Sequence, residues 1–250
     1  MTGPDDTLLR DTTITGARWC AARSVEVDEW IGGLFADAVG DATAGIALVA
    51  TGGYGRAELC PQSDIDVMLV HDRRADVAEV AERIWYPIWD TGLKLGHSVF
   101  RVPEALTLAA DDLDTATALL SSRHLGGDAS LTEQLSAGSL EQWRSGAKKW
   151  LEQMGDRVTT RQRASGEVAF LLEPDLKEGR GGLRDVHSLR WAELAQPVLT
   201  AGDASQLDDA ETVLLEARVE LQRLTGRTSN VLHLQEQDAV AEALGDGSAD

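Results

Sequence analysis

The stretch Ile46–Val70, IALVATGGYGRAELCPQSDIDVMLV, decides the fold. It opens on Ile46-Ala47-Leu48-Val49-Ala50, an apolar run with the length and β-branched content of a buried strand. The run breaks at Gly52-Gly53, continues through Tyr54-Gly55-Arg56 and passes a turn signal at Pro61-Gln62-Ser63. It then enters a second apolar run, Val67-Met68-Leu69-Val70, by way of Asp64-Ile65-Asp66. Residues two apart on a strand share a face, so the spacing predicts Asp64 and Asp66 side by side, with Ile65 turned towards the core.

Two ionised carboxylates this close repel each other unless a positive charge sits between them. Mg²⁺ suits that place, because it takes hard oxygen ligands and is often held by one or two carboxylates plus substrate phosphates. Gly52 and Gly53 supply the complementary half: without a Cβ they let a phosphate come close to backbone N–H groups. Arg56 offers a planar fork of donors to a phosphate oxygen. Ser63 has two readings, a phosphate ligand or a turn residue capping Pro61-Gln62. Tyr54 and Glu58 are expected to shape the loop. A paired glycine or an Asp-x-Asp alone is common on surfaces. Glycine turn, serine and acid pair in order between two strand-like runs is the arrangement needed for metal-assisted transfer at a nucleotide phosphate.

On these residues GGYGRAELCPQSDIDVMLV resembles the signature of the DNA polymerase β-like nucleotidyltransferase superfamily, and within it the PII uridylyltransferase (uridylyl-removing) enzymes of nitrogen signalling. Two further blocks, GLKLGHSVF at Gly92–Phe100 and LLEPDLKEGRGGLRDVHSLRW at Leu171–Trp191, look like that family's, and the resemblance covers most of residues 40–245. It implies transfer of UMP from UTP, with Mg²⁺, to a tyrosine of the PII protein. Some relatives use ATP and attach AMP, and nothing in these residues selects the base. It also implies Asp64 and Asp66 as catalytic metal ligands, with Gly52, Gly53, Arg56 and Ser63 at the nucleotide.

The superfamily places a third acid on a later strand, and here the chain departs from the pattern. Leu93–Val102, LKLGHSVFRV, carries Lys94 and His97 but no acid. Glu104, Asp111, Asp112 and Asp114 all stay open as substitutes. In EPDLKEGRGGLRD, Lys177, Arg180 and Arg184 surround three glycines. They close over the triphosphate or the base side of the pocket; alternatively, Glu173, Asp175, Glu178 and Asp185 pair with them and lock the helical half onto the core. The resemblance favours active-site lining by Lys177 and Arg184. Full-length members of the family carry a downstream HD hydrolase domain and paired ACT domains. This chain is expected to lack both, and with them nucleotide removal and glutamine sensing. The dipeptide His71-Asp72 has no second histidine cluster and is no hydrolase token; His97, His124, His187 and His233 read as structural. Two rival readings remain: a non-catalytic remnant that binds nucleotide or PII, and a nucleotidyltransferase with another acceptor.

Composition sets the bounds. The chain has 250 residues, 43% of them hydrophobic, enough for one or two domains with sizeable cores. A formal net charge of −19 excludes a nucleic-acid backbone as main partner, while a nucleotide's charge can be met locally. The two cysteines, Cys20 and Cys60, form no framework or metal spacing. The N-terminus is polar and acidic, unlike a signal peptide, and no apolar run approaches the ~20 residues of a spanning helix. A cytoplasmic protein with no membrane contact is expected.

The organisation expected is an N-terminal helical segment over 1–40, a nucleotidyltransferase core over 41–127 and a helical domain over 128–250. Within it, periodicity predicts helices over Ala17–Val39, Asp76–Trp89, Pro103–Arg123 (stopped by Gly126-Gly127) and Leu140–Arg163. Leu207, Ala210, Leu214, Ala217, Leu221 and Leu224 recur at three and four as a packing seam. The fold class is therefore α/β (α+β): a small mixed sheet covered by helices, followed by a mainly helical part.

Overall fold

A computed structural model describes residues 3–4, 7–165 and 168–246. In chain order the elements are α1 (Thr7–Arg10), α2 (Gly16–Val39), β1 (Ile46–Ala50), α3 (Gly52–Gly55), β2 (Ile65–His71), α4 (Val77–Asp90) and β3 (Leu95–Phe100). There follow α5 (Val102–Ala109), α6 (Leu113–Leu119), β4 (Arg123–Gly127), α7 (Ala129–Ser145) and α8 (Ala147–Ser165). After a short 3₁₀ turn at Val168–Phe170 come α9 (Leu183–Ala195), α10 (Ala201–Thr225) and α11 (Leu234–Leu244). None of the helices described is long and apolar enough to cross a membrane.

The chain divides into two compact units, the first built from Ala21–Leu59 and Ser63–Gln142. It holds a four-stranded sheet in the order β3-β2-β1-β4. β1 pairs antiparallel with both β2 and β4, and β2 pairs parallel with β3, so the sheet is mixed as expected. All five residues of β1 are buried, which is why its sequence is uniformly apolar rather than alternating. Ile46, Leu48, Ile65, Val67 and Leu69 form one core with Leu34, Phe35 and Ala38 of α2 and Val80, Ile84, Trp85 and Ile88 of α4. The three- and four-residue spacing of α4 is thus its core stripe.

The helix predicted over Pro103–Arg123 is two short helices followed by a strand. Asp112 starts the second helix, its carboxylate accepting from the Thr115 amide at 2.7 Å. The glycines taken as a helix stop lie inside β4. A Cβ on Gly127, whose φ is +89°, would lie 2.2 Å from the Ile46 carbonyl oxygen, and one on Gly126 would press on Phe35 at 3.1 Å. Here glycine marks close approach of an edge strand rather than an end.

The second unit comprises Thr7–Cys20, Cys60–Gln62 and the chain from Trp143 onward. Trp19, Cys20, Cys60, Leu176, Leu183, Val186, Leu214, Leu215, Val219 and Leu221 are buried together. The predicted seam on α10 is therefore a core stripe at Leu214 and Leu221, with Leu207 and Ala217 packed alongside, but Ala210 and Leu224 are exposed. Both cysteines are free thiols, their sulfurs 3.6 Å apart. The expected helix over Leu140–Arg163 breaks at Gly146, and the stacked rings of Trp143 and Trp150, 5.4 Å apart, bridge the break.

Candidate active site

β2 begins at Ile65, which is buried, and Asp64 and Asp66 flank it on the opposite face of the strand. The Thr51 amide donates to the Asp66 carbonyl at 3.0 Å, tying the start of the glycine turn to the strand. Gly52, with φ +58°, stands where any Cβ would lie 3.2 Å from Asp66 Oδ2. On the other flank, Gly96 is the β3 partner of Asp66, and a Cβ there would lie 2.2 Å from Oδ1. The carboxylate of Asp66 is therefore held in a slot between two stretches of bare backbone. Asp64 is more open: its side chain is 57% exposed, and Lys94 Nζ approaches its Oδ1 at 3.9 Å. The pair Ile65–Leu95 puts Lys94 across from Asp64 on the face that carries both acids.

The turn Gly52–Gly55 is one helical turn, closed by Gly55 N–H donating to the Thr51 carbonyl at 2.9 Å. It ends on Ala57, whose φ of +59° is the left-handed conformation an L-residue avoids. Tyr54 is buried and its hydroxyl donates to Asp28 Oδ1 at 2.6 Å. Burial, reinforced by the Asp28 carboxylate, pushes the Tyr54 phenol far above its usual range. Arg56 Nε donates to both carboxylate oxygens of Glu58 at 2.9 Å, so its fork faces Glu58 and its Nη2 lies beside Gly53. Ser63 sits in the short link between the Pro61-Gln62 turn and β2.

Among the four acids left open in the sequence, Glu104 is at the wrong end of the sheet. Asp66 pairs with Gly96 near the start of β3, whereas Glu104 lies beyond its other end, in the first turn of α5. There it caps the helix by accepting from the Arg101 amide at 3.0 Å and the Arg101 Nε at 2.9 Å. The Arg101 hydrogen bonds hold its carboxyl down at about 2, which makes it a poor base. Asp112 is occupied as the α6 cap. Nothing acidic stands on β3, and Lys94, the residue just before it, lies beside Asp64.

Lys177 and Arg184 belong to the second unit. The Lys177 and Glu178 amides donate to Asp175 Oδ1 at 2.9 and 2.8 Å, and the Arg184 amide donates to the Lys177 carbonyl at 3.0 Å, folding the segment back on itself. Arg184 Nε faces Glu178 at 3.3 Å. Asp185 instead accepts from the Gly181 amide at 2.7 Å and pairs with Arg161. Glu173 accepts from the Leu234 amide at 3.1 Å, which with its His233 neighbour lowers its carboxyl. In this block Glu178 meets Arg184, and Asp175, Asp185 and Glu173 brace the second unit's own loops.

Two residues that sequence reasoning passed over organise the turn. Asp28, on α2, takes the Tyr54 hydroxyl and a two-pronged contact from Arg123, at 2.5 and 3.1 Å. Neither residue stands in a motif, and only tertiary contact reveals them.

Comparison with known proteins bears on this geometry. The model of the family "GlnD PII-uridylyltransferase" matches residues 148–250. A "Bifunctional uridylyltransferase/uridylyl-removing enzyme" of Streptomyces coelicolor is 47% identical over 220 residues, 87% of this chain and 26% of its own length. Proteins of the same name from Mycobacterium tuberculosis and Nitrosococcus oceani are 44% and 36% identical over 85% and 80% of the chain, covering 27% and 24% of theirs. The chain spans about a quarter of the length of these curated relatives. The sheet, the acid pair within the glycine-turn signature and these matches agree: the chain belongs to the family of the PII uridylyltransferase/uridylyl-removing enzymes.

Proposed function

We propose that this chain is a nucleotidyltransferase that moves UMP, or AMP, from a nucleoside triphosphate to a tyrosine hydroxyl of PII. In this reading residues 41–127 are the transferase core and 128–250 the helical domain, and the reaction takes place in the cytoplasm without nucleic acid or membrane. The observation that carries it is the placement of Asp66 between Gly52 and Gly96 with Asp64 on the same strand face. Two hard oxygen donors beside the bare backbone of Gly52-Gly53 fit a divalent cation such as Mg²⁺ carrying a triphosphate. Such a cation, when bound, lowers the charge on the phosphates and aligns the attacking and leaving oxygens.

The residues of the chain do the rest. Asp64 and Asp66 hold the metal-bound triphosphate, and Gly52 and Gly53 leave it room against the backbone. Arg56 and Ser63 contact the phosphates, Arg56 on exchange from Glu58. Lys177 and Arg184 supply cations at the nucleotide. The tyrosine oxygen, giving up its proton to solvent, attacks the α-phosphorus in line, the bond to the bridging oxygen breaks, and pyrophosphate leaves.

The absence of an acid from β3, with Lys94 beside Asp64 instead, favours a second reading: a remnant that binds nucleotide or PII without turnover. Incubation with labelled UTP or ATP, Mg²⁺ and PII separates them. Label on PII that disappears in Asp64→Ala and Asp66→Ala supports transfer. Nucleotide binding without transfer, alongside an active control enzyme, supports the remnant, and label on acceptors other than PII supports a transferase of different specificity.

A further inference from the structure

Arg123 is the first residue of β4 and pairs with Ala50, the last residue of β1, so it stands where the chain leaves the sheet for the glycine turn. Every nitrogen of its guanidinium is directed. Nη1 and Nη2 grip the two oxygens of Asp28 at 2.5 and 3.1 Å. Nη2 also donates to the Tyr54 carbonyl at 3.1 Å, and Nε to the Gly55 carbonyl at 3.3 Å. The cation lies 5.2 Å from the centre of the Tyr54 ring, whose hydroxyl returns to Asp28. One side chain thus takes the two carbonyls at the end of a single helical turn, sharing the Tyr54 carbonyl with the Ala57 amide at 3.1 Å. The turn it holds contains left-handed residues at both ends, Gly52 and Ala57, a conformation that persists only where its surroundings enforce it.

The position of that turn sets the position of Gly52 against Asp66 Oδ2. We infer that Arg123, oriented by Asp28, is a positioning residue: it locks the Gly52–Gly55 turn against Asp66 and so fixes the slot in which the catalytic carboxylate sits. This rests on the reading of turn and acid pair as the triphosphate site. Arg123 touches no substrate atom in this scheme; it acts through the turn. Charge alone does not do this work, because the contacts need the planar fork, which lysine lacks.

The test is Arg123→Lys in the whole chain, with Arg101→Lys as a control arginine outside this network. Hydrogen exchange is followed for the amides of residues 52–58 and for β1 and β2, and affinity for UTP and ATP is measured with Mn²⁺ by calorimetry. Exchange in 52–58 is expected to quicken, and nucleotide affinity to fall, each by roughly tenfold or more, the scale of losing charge-assisted hydrogen bonds. The amides of β1 and β2 keep their wild-type rates, and added guanidinium ion at tens of millimolar partly restores affinity in Arg123→Ala. Wild-type exchange in the turn, wild-type affinity, or acceleration spread evenly over the first unit overturns the inference. If the unaltered protein binds neither nucleotide, the proposed function falls, and exchange in the turn alone decides whether Arg123 holds it.

Discussion

Gly96→Ala is the substitution that best separates the candidate site from the fold. The new Cβ would lie 2.2 Å from Asp66 Oδ1, about 1 Å inside ordinary contact, and its next obstacle is Asp66 Cγ at 3.3 Å. Backbone does not block it. The clash is with the tip of a short side chain, so the strand pairing survives and the carboxylate swings away. Turning Asp66 off its rotamer costs about 0.5–1.5 kcal/mol, and replacing a strand glycine returns about 0.5–1 kcal/mol of conformational entropy. Net stability therefore changes by less than about 1 kcal/mol, a few degrees in Tm at most for a unit of this size. Transfer behaves differently, because displacing a reacting group by about 1 Å costs on the order of 100-fold in rate. Thermal melting with PII-labelling rates for wild type, Gly96→Ala and Gly33→Ala makes the comparison. Gly33 is an exposed helical position with open space around a Cβ, so its alanine should stabilise by about 0.5–1 kcal/mol and leave labelling unchanged. A Gly96→Ala protein that labels PII at the wild-type rate would refute the slot; one that unfolds would refute the claim that only Asp66 yields.

Lys94→Glu places a third carboxylate on the face shared by Asp64 and Asp66, and Mn²⁺ titration followed by electron paramagnetic resonance should show about tenfold tighter binding, unchanged affinity counting against that geometry. Ala57→Gly removes the left-handed strain that ends the turn and should raise stability by about 0.5–1 kcal/mol in urea unfolding; a loss instead would mean the alanine methyl packs usefully. The Glu104 carboxyl is held at about 2, below its ordinary 4.5, by Arg101. Its contribution to the α5 start is complete above pH 4.5 and disappears as pH falls through 2. Carbon-13 NMR titration of Glu104 checks this, and Arg101→Ala should return the midpoint towards 4.5.

The legible parts of the fold were those with an unbroken local cause. β1 and β2 announce themselves because a strand covered on both faces must be apolar throughout, and α4 because its stripe repeats at the helical period. β4 stayed hidden: Arg-His-Leu-Gly-Gly has no alternation, and its pairing depends on glycines fitting against Ile46 and Phe35, atoms distant in sequence. At the site, the alternation of Asp64, Ile65 and Asp66 was readable from spacing alone. The loss of a side chain at Gly96 was not, since its reason is a carboxylate on the neighbouring strand. Asp28 and Arg123 were equally invisible, being a helix residue and a strand residue joined only through Tyr54.

Charge on the first unit points to how an anionic substrate is accepted by so acidic a chain. The cations around the turn already face carboxylates: Arg56 meets Glu58, Arg123 meets Asp28, and Lys94 leans on Asp64. A triphosphate arriving alone would therefore meet Asp64 and Asp66 while the first unit's own cations at the turn are already engaged. Each pair of like charges at about 4 Å costs roughly 4 kcal/mol at the effective dielectric of a protein surface, enough for about 1,000-fold in affinity. A divalent cation reverses the sign of that interaction, which makes nucleotide and metal mutually dependent ligands in the proposed site. Calorimetry with UTP or ATP in EDTA should then show no binding in the concentration range where Mg²⁺ permits it, and Asp66→Asn should regain part of the metal-free affinity while losing the metal-dependent part. Equal affinity with and without Mg²⁺ would mean that the acid pair does not face the phosphates.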